Sequence, residues 1–198
     1  MAKIRSNRRI TKKEIIKEEA ARLFHNRGYG AASMRDLAEI LGVEAPSLYN
    51  HINSKEELLQ EICFSIANEF TFQISLMESN DKLTALQKVE SIIRFHIHMW
   101  VDKVNDVLVM TNEAKHLSEP YLSTFLNERR VYAKRFAAIV ADGVKKGELR
   151  KINPHVVVMT VLNAVRGIEF WHRSRKTINA PDLEENMVTA LLNGLKKN

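Results

Sequence analysis

The chain has 198 residues, of which 45% are hydrophobic and 27% charged, with only 7 Gly and 4 Pro; it should fold, and it has too few turn-formers for a many-stranded sandwich or barrel. A single cysteine, Cys63, excludes an internal disulfide framework and a multi-cysteine zinc site, and charged residues interrupt every apolar run before it reaches membrane-spanning length. The net charge of +6 is unevenly placed: residues 1–35 carry ten Lys/Arg against three Glu, and the rest of the chain carries 20 basic against 21 acidic side chains.

Helix formers dominate, so the expected fold is all-α. The N-terminus lacks the apolar stretch of a secretory signal, and the expected location is the cytoplasm. The basic excess near the amino end reads either as a solvated charged tail or as a polyanion-binding arm. Clustered Lys/Arg beside a folded domain attracts phosphate by releasing counterions.

In chain order, Thr11-Lys-Lys-Glu14 has capping-box spacing. Ile15, Ile16, Ala20, Leu23 and Phe24 follow at helical spacing, and Gly28 is placed to end this first helix. Ser33-Met-Arg-Asp36 repeats the start signal for a short second helix with Leu37, Ala38 and Leu41 inward. Gly42-Val43 turns the chain. A third helix is predicted from about Ala45 to His51, with Pro46 tolerated in its first turn. Ser54-Lys-Glu-Glu57 opens a fourth, whose apolar face is Leu58, Leu59, Ile62, Cys63, Ile66 and Phe70. Ala38, Gly42 and Leu48 have the spacing of a helix-turn-helix: a small residue where the helices cross, a Gly for the tight turn, and an aliphatic anchor in the second helix. With Leu48 inward, Pro46, Ser47 and Asn50 turn outward and Tyr49 lies on the flank, a surface suited to a major groove. An ordinary helical hairpin is the bland alternative.

The stretch Gly42-Val-Glu-Ala-Pro-Ser-Leu-Tyr-Asn-His-Ile-Asn-Ser-Lys-Glu-Glu-Leu58 resembles the DNA-binding signature of the tetracycline-repressor (TetR) family, strongly over about residues 10–65 and more weakly beyond. The resemblance implies a homodimer that sets two recognition helices in successive major grooves of a palindromic operator in double-stranded DNA. A ligand bound in the C-terminal helical domain then changes their separation. It places Arg35 where a guanidinium can reach a guanine, and Ala45, Pro46, Ser47, Tyr49, Asn50 and His51 on or beside the recognition helix. Tyr49 and Lys55 fall at positions similar to phosphate contacts. Ser33 and Ser54 are N-caps first and phosphate contacts second. Ala45 and Asn50 stand where the family's namesake has a Gln and a Trp, which implies a different operator.

Beyond Asp81, amphipathic helices are predicted at about Leu83–Lys103, Val107–His116, Glu119–Lys146 (stopped by Gly147), Asn153–Trp171, and Ala180 to about Leu195. With the first four this makes about nine. Residues 1–53 are expected to form the helix-turn-helix domain with its basic arm (Lys3, Arg5, Arg8, Arg9). Residues 54–198 are expected to form a helical effector-binding and dimerisation domain, with helix 54–77 connecting the two. Val157, Val161, Ala164, Val165, Ile168, Val188, Leu191, Leu192 and Leu195 suit either pairing with a second copy or burial within one chain. Phe95, His96, Met99, Trp100, Met110, Phe125, Met159 and Phe170 are candidates for an adaptable apolar pocket, or plain core. Arg129-Arg130-x-Tyr132, Gly143-x-x-x-Gly147 and Trp171 are similar to relatives that sense acyl-CoA thioesters. The pocket candidates favour a hydrophobic or amphipathic effector; an acyl-CoA is one such compound, which this likeness brings in without assigning it.

No cofactor, metal site or enzymatic activity is expected. His96 and His98 lie on different helix faces, and Glu113 with His116 lacks further ligands nearby in sequence. Cys63 falls on a buried face, where a thiol behaves as a small hydrophobe, and no Gly-rich phosphate loop is present. The reading is a ligand-responsive DNA-binding regulator, most simply a repressor, with no membrane partner. A constitutive dimeric DNA-binding protein and a non-DNA helical interaction protein are the alternatives.

Overall fold

Local capping signals set the helix starts in this computed structural model, which describes residues 11–174 and 178–196. The basic arm formed by Lys3, Arg5, Arg8 and Arg9 lies outside the described residues. Thr11 Oγ1 accepts from Glu14 N at 3.2 Å, and the Glu14 carboxylate accepts from Thr11 N at 2.7 Å. This box opens α1, Lys12–Arg27, which Gly28 ends. Ser33 and Asp36 form the same box at α2, Met34–Leu41. Then come α3, Ala45–Leu48, and α4, Lys55–Glu78, the latter capped by Ser54. The remaining helices are α5, Ala85–Asp102; α6, Val104–Asn112; a 3₁₀ turn at Ala114–His116; α7, Tyr121–Lys145; α8, Pro154–Arg166; α9, Ile168–Arg173; and α10, Ala180–Asn193.

The expected boundaries hold to within a few residues with three exceptions, one being the helix expected over Val107–His116, which runs Val104–Asn112 and is followed by the separate 3₁₀ turn. The third helix stops at Leu48 rather than His51. Residues 49–51 continue as a tightened turn, held by His51 N and Ile52 N on Leu48 O at 2.9 and 3.0 Å. The helix predicted over 153–171 is broken at Gly167, where Gly167 N donates to Ala164 O in an i,i+3 bond; counting α8 and α9 as one element restores nine helices among the described residues.

Two apolar cores share α4. The first gathers Ile16, Ala20 and Phe24 of α1, Leu37 and Ala38 of α2, Leu48 and Ile52 around α3, and Leu58, Leu59, Ile62 and Cys63 of α4. Val109, Ala114, Leu117 and Phe125 complete it. Ile15, expected inward, is exposed, because the helix directs its neighbour Ile16 into the core instead. The second core begins at Ile66 and runs through α5, α7, α8 and α10. Helix α6 belongs to both, with Val109 in the first core and Val107 and Leu108 in the second, packing along α1 and α4 while adjoining α5. Close approach matters at Gly143, where a Cβ would collide with Ala85 and Leu149.

The residues expected to suit a dimer face are core in this fold. Val157, Val161, Val165, Ile168, Val188, Leu192 and Leu195 are buried within the single chain, and Ala164 and Leu191 are half-buried. The apolar residues that α8 and α9 leave exposed are Val156, Met159 and Phe170.

Candidate functional site

The turn between α2 and α3 depends on backbone that L-residues avoid. Gly42 has φ 65° and ψ 33°, in the left-handed region, where the absence of a Cβ removes the steric cost. Val43 N then donates to Ala38 O at 3.0 Å, and α3 crosses α2 over buried Ala38. Leu48 is 1% exposed and anchors α3.

On the outer side, Pro46, Asn50 and His51 are exposed, Ala45 and Ser47 are half-buried, and Tyr49 is 52% exposed. Arg35 is exposed at the start of α2. Among the described residues no hydrogen bond or ion pair engages its guanidinium, whereas Arg27 is bound to Asp36 at 2.6 Å and Arg22 to Glu19. Ser33 caps α2 and, with Arg27 adding to it, holds the Asp36 carboxyl below the ordinary carboxylate range.

Lys55 is placed otherwise. Its Nζ donates to Tyr29 O and Ala32 O, both at 2.8 Å, and stands 4.2 Å from the Tyr29 ring centroid. Two of its three donors thus staple the α1–α2 loop to the start of α4, a role that residue spacing alone did not reveal.

A cavity of about 590 Å³ opens among α4, α5, α6, α7 and α8. His96, Trp100 and Met110 line it as expected. The other five candidates do not. Met99 is buried core and Phe95 packs edge-on against Phe70. Phe125 belongs to the first core, while Met159 and Phe170 are 58% and 66% exposed. Phe70, Thr71, Tyr132, Leu162 and the charged Glu128, Arg129, Arg130 and Arg166 are also in the lining. Phe70 and Tyr132 have the residue type that marks such a pocket, whereas half-buried Glu128 and exposed Arg129, Arg130 and Arg166 have the type of surface charges, so residue type alone did not single them out.

At the inner wall, His96 Nε2 and Tyr132 Oη are 2.8 Å apart, and the His96 ring stacks on Phe70 with centroids 4.5 Å apart. Desolvation pushes the His96 pKa down to about 3 and raises that of Tyr132, so both groups are neutral near pH 7. Cys63, away from the cavity, is pushed up to about 12 by burial and stays a thiol.

The cavity and the head are mechanically joined. Val107, Met110 and Thr111 of α6 line the cavity, and Arg166 Nη2 donates to Asn112 Oδ1 at 3.2 Å. One residue further, Glu113 Oε2 accepts from Tyr29 N at 3.1 Å. The His116 ring stacks on Tyr29 with centroids 5.4 Å apart, and Ser118 N donates to Glu56 Oε1 at 3.2 Å.

Two family models match this architecture: "Bacterial regulatory proteins, tetR family" over residues 16–62, and "Tetracyclin repressor-like, C-terminal domain" over residues 82–195. The chain belongs to the TetR family. It is therefore a helix-turn-helix transcription regulator and not an enzyme. It is similar to the HTH-type transcriptional repressor KstR2 of Mycolicibacterium smegmatis, 23% identical over 190 residues covering 93% of this chain and 91% of that protein. Among solved structures, the ketosteroid transcriptional regulator KstR2 of Mycobacterium tuberculosis superposes with a TM-score of 0.87 at 20% identity, covering 98% and 99% of the two chains. AibR in complex with isovaleryl coenzyme A and operator DNA gives 0.79 at 23% identity, covering 92% and 98%. Both structural likenesses concern the TetR fold. Among the described residues no helix is long and apolar enough to cross a membrane, and no group of three or more His, Cys, Asp or Glu is placed to hold a metal ion.

Proposed function

We propose that this TetR-family chain acts in the cytoplasm as a homodimeric repressor that holds a palindromic operator and releases it when an amphipathic anion fills the cavity. The observation that carries the reading is α6. This short helix lines the cavity, and the residues that follow it at once, Glu113 at its C-terminal cap and His116 in the 3₁₀ turn, rest against Tyr29 beside the DNA-reading head. A regulator that only dimerises has no use for a 590 Å³ cavity at that joint.

In this reading, residues 1–53 contact DNA and 54–198 take the effector and the second copy. Arg35 reads a base edge, and Ser47, Asn50 and the rest of the α3 surface lie in the major groove. Tyr49 and Ser33 hold phosphate. Arg129, Arg130 and Arg166 supply positive charge for the effector's anionic group, and Phe70, Trp100 and Leu162 hold its apolar part. An anion that draws Arg166 away from Asn112 loosens α6 and shifts the head. Isovaleryl coenzyme A in AibR is a ligand of this chemistry, so acyl-CoA thioesters are the first class to test. Exposed Val156, Met159 and Phe170, spaced at three and then eleven residues along α8 and α9, supply an apolar stripe for a second copy.

Selection of bound duplexes from a random pool tests this function. It should return a palindrome whose half-sites match two recognition surfaces about one helical turn or a multiple apart. Arg35→Ala should cost about 1–3 kcal/mol and relax preference at one base pair per half-site. Equal weakening on selected and random DNA would assign Arg35 to the phosphates instead.

A further inference from the structure

The inward stripe of α7 carries Phe125, Tyr132 and Phe136, and a carboxylate falls on the same stripe: Glu128, three residues after Phe125 and four before Tyr132. Its Oε2 is buried and, among the described residues, has no hydrogen-bond partner. Burial raises the Glu128 pKa above the usual carboxylate value, and no cation opposes that rise, although three arginines line the same cavity. A buried polar atom left without a partner is costly, and folds keep one chiefly where a missing group completes it.

The rest of the lining decides which group that is. Phe70, Trp100, Val107, Met110 and Leu162 make the surroundings apolar, so the donor must sit on an otherwise apolar body. The arginines disfavour an ammonium, since like charges repel. A hydroxyl donates to a carboxylate without bringing a second cation. We propose that Glu128 selects an effector bearing a hydroxyl on its apolar portion, a hydroxylated amphipathic anion in preference to a plain acyl chain. The assignment rests on the effector reading of the cavity given above and specifies what that effector carries.

Calorimetric titration of the full-length protein with decanoyl coenzyme A and its 3-, 6- and 10-hydroxy analogues tests it. At least one hydroxylated analogue should bind roughly 10- to 100-fold more tightly than the plain thioester. Glu128→Leu should erase that gap while binding decanoyl coenzyme A at least as tightly as the unaltered protein. Glu128→Gln, whose amide oxygen still accepts, should retain part of the preference. Operator binding by both variants checks that they fold. Equal binding of all four probes, or a hydroxyl preference that survives in Glu128→Leu, overturns the assignment and leaves the effector reading standing. Binding of none of them, by protein that still holds its operator, removes the effector reading and this assignment together.

Discussion

Leu48→Ala is expected to lower the stability of the DNA-reading head by about 2–5 kcal/mol, the range for emptying a fully buried leucine site. Leu48 is 1% exposed and sits in the first core with Leu37, Ala38 and Ile52. The effect should be near the upper part of that range, because α3 has only four residues and cannot hold itself by helix propagation. Its position depends on this anchor and on the Gly42 turn. The second core begins beyond it, at Ile66, so the loss should be local. Hydrogen exchange should accelerate across residues 11–62 while the amides of α5, α7 and α8 stay protected. Operator affinity should fall about tenfold or more as the head populates open states. Uniform loss of protection along the whole chain would show that the two cores melt as one.

The second large effect is a pH dependence carried by His96. The ring is buried against Phe70 and hydrogen-bonded to Tyr132, and desolvation sets its folded pKa at about 3 against an ordinary 6.5. Above pH 6.5 neither state binds the proton and the His96 contribution is fully present. Below it the unfolded chain takes up a proton that the folded chain refuses, so stability falls with a slope of about 1.4 kcal/mol per pH unit until about pH 3. From pH 7.5 to 5 the native protein should therefore lose about 2 kcal/mol more than His96→Gln, a neutral replacement that can still bond Tyr132. Carboxylates such as Asp36 and Glu78, which also lose stabilising interactions in acid, contribute equally to both proteins and cancel in the difference. Urea titrations at the two pH values measure it, and parallel profiles would contradict a neutral buried His96.

What the sequence made legible was what local chemistry decides. The caps at Thr11, Ser33, Ser54 and Asn153 mark helix starts because a side-chain oxygen three or fewer residues from an orphan amide satisfies it in any fold. Gly42 was readable for the same reason: its turn requires a left-handed residue, and the buried and exposed sides of α3 follow from the position of Leu48. Lys55 was not readable, since the carbonyls of Tyr29 and Ala32 reach it only after α1 and α4 pack. The cavity behaved likewise. Met159 and Phe170 look like pocket residues by type, yet α8 and α9 turn them outward. Half-buried Glu128 and exposed Arg166 look like ordinary surface charges, yet both line the cavity. Val157, Val161 and Val165 have the periodicity of an interface, and a single chain already buries them. Periodicity shows that a face is covered without saying by what.

The cavity and the DNA-reading head meet through α6 and the turn that follows it, so the dissociation constant for the selected operator should respond to what fills the cavity. Measured at one fixed salt concentration with and without saturating decanoyl coenzyme A, operator affinity should fall about 5- to 150-fold, the usual scale of coupling between two sites. An unchanged constant with the cavity demonstrably filled would show that the two are not coupled.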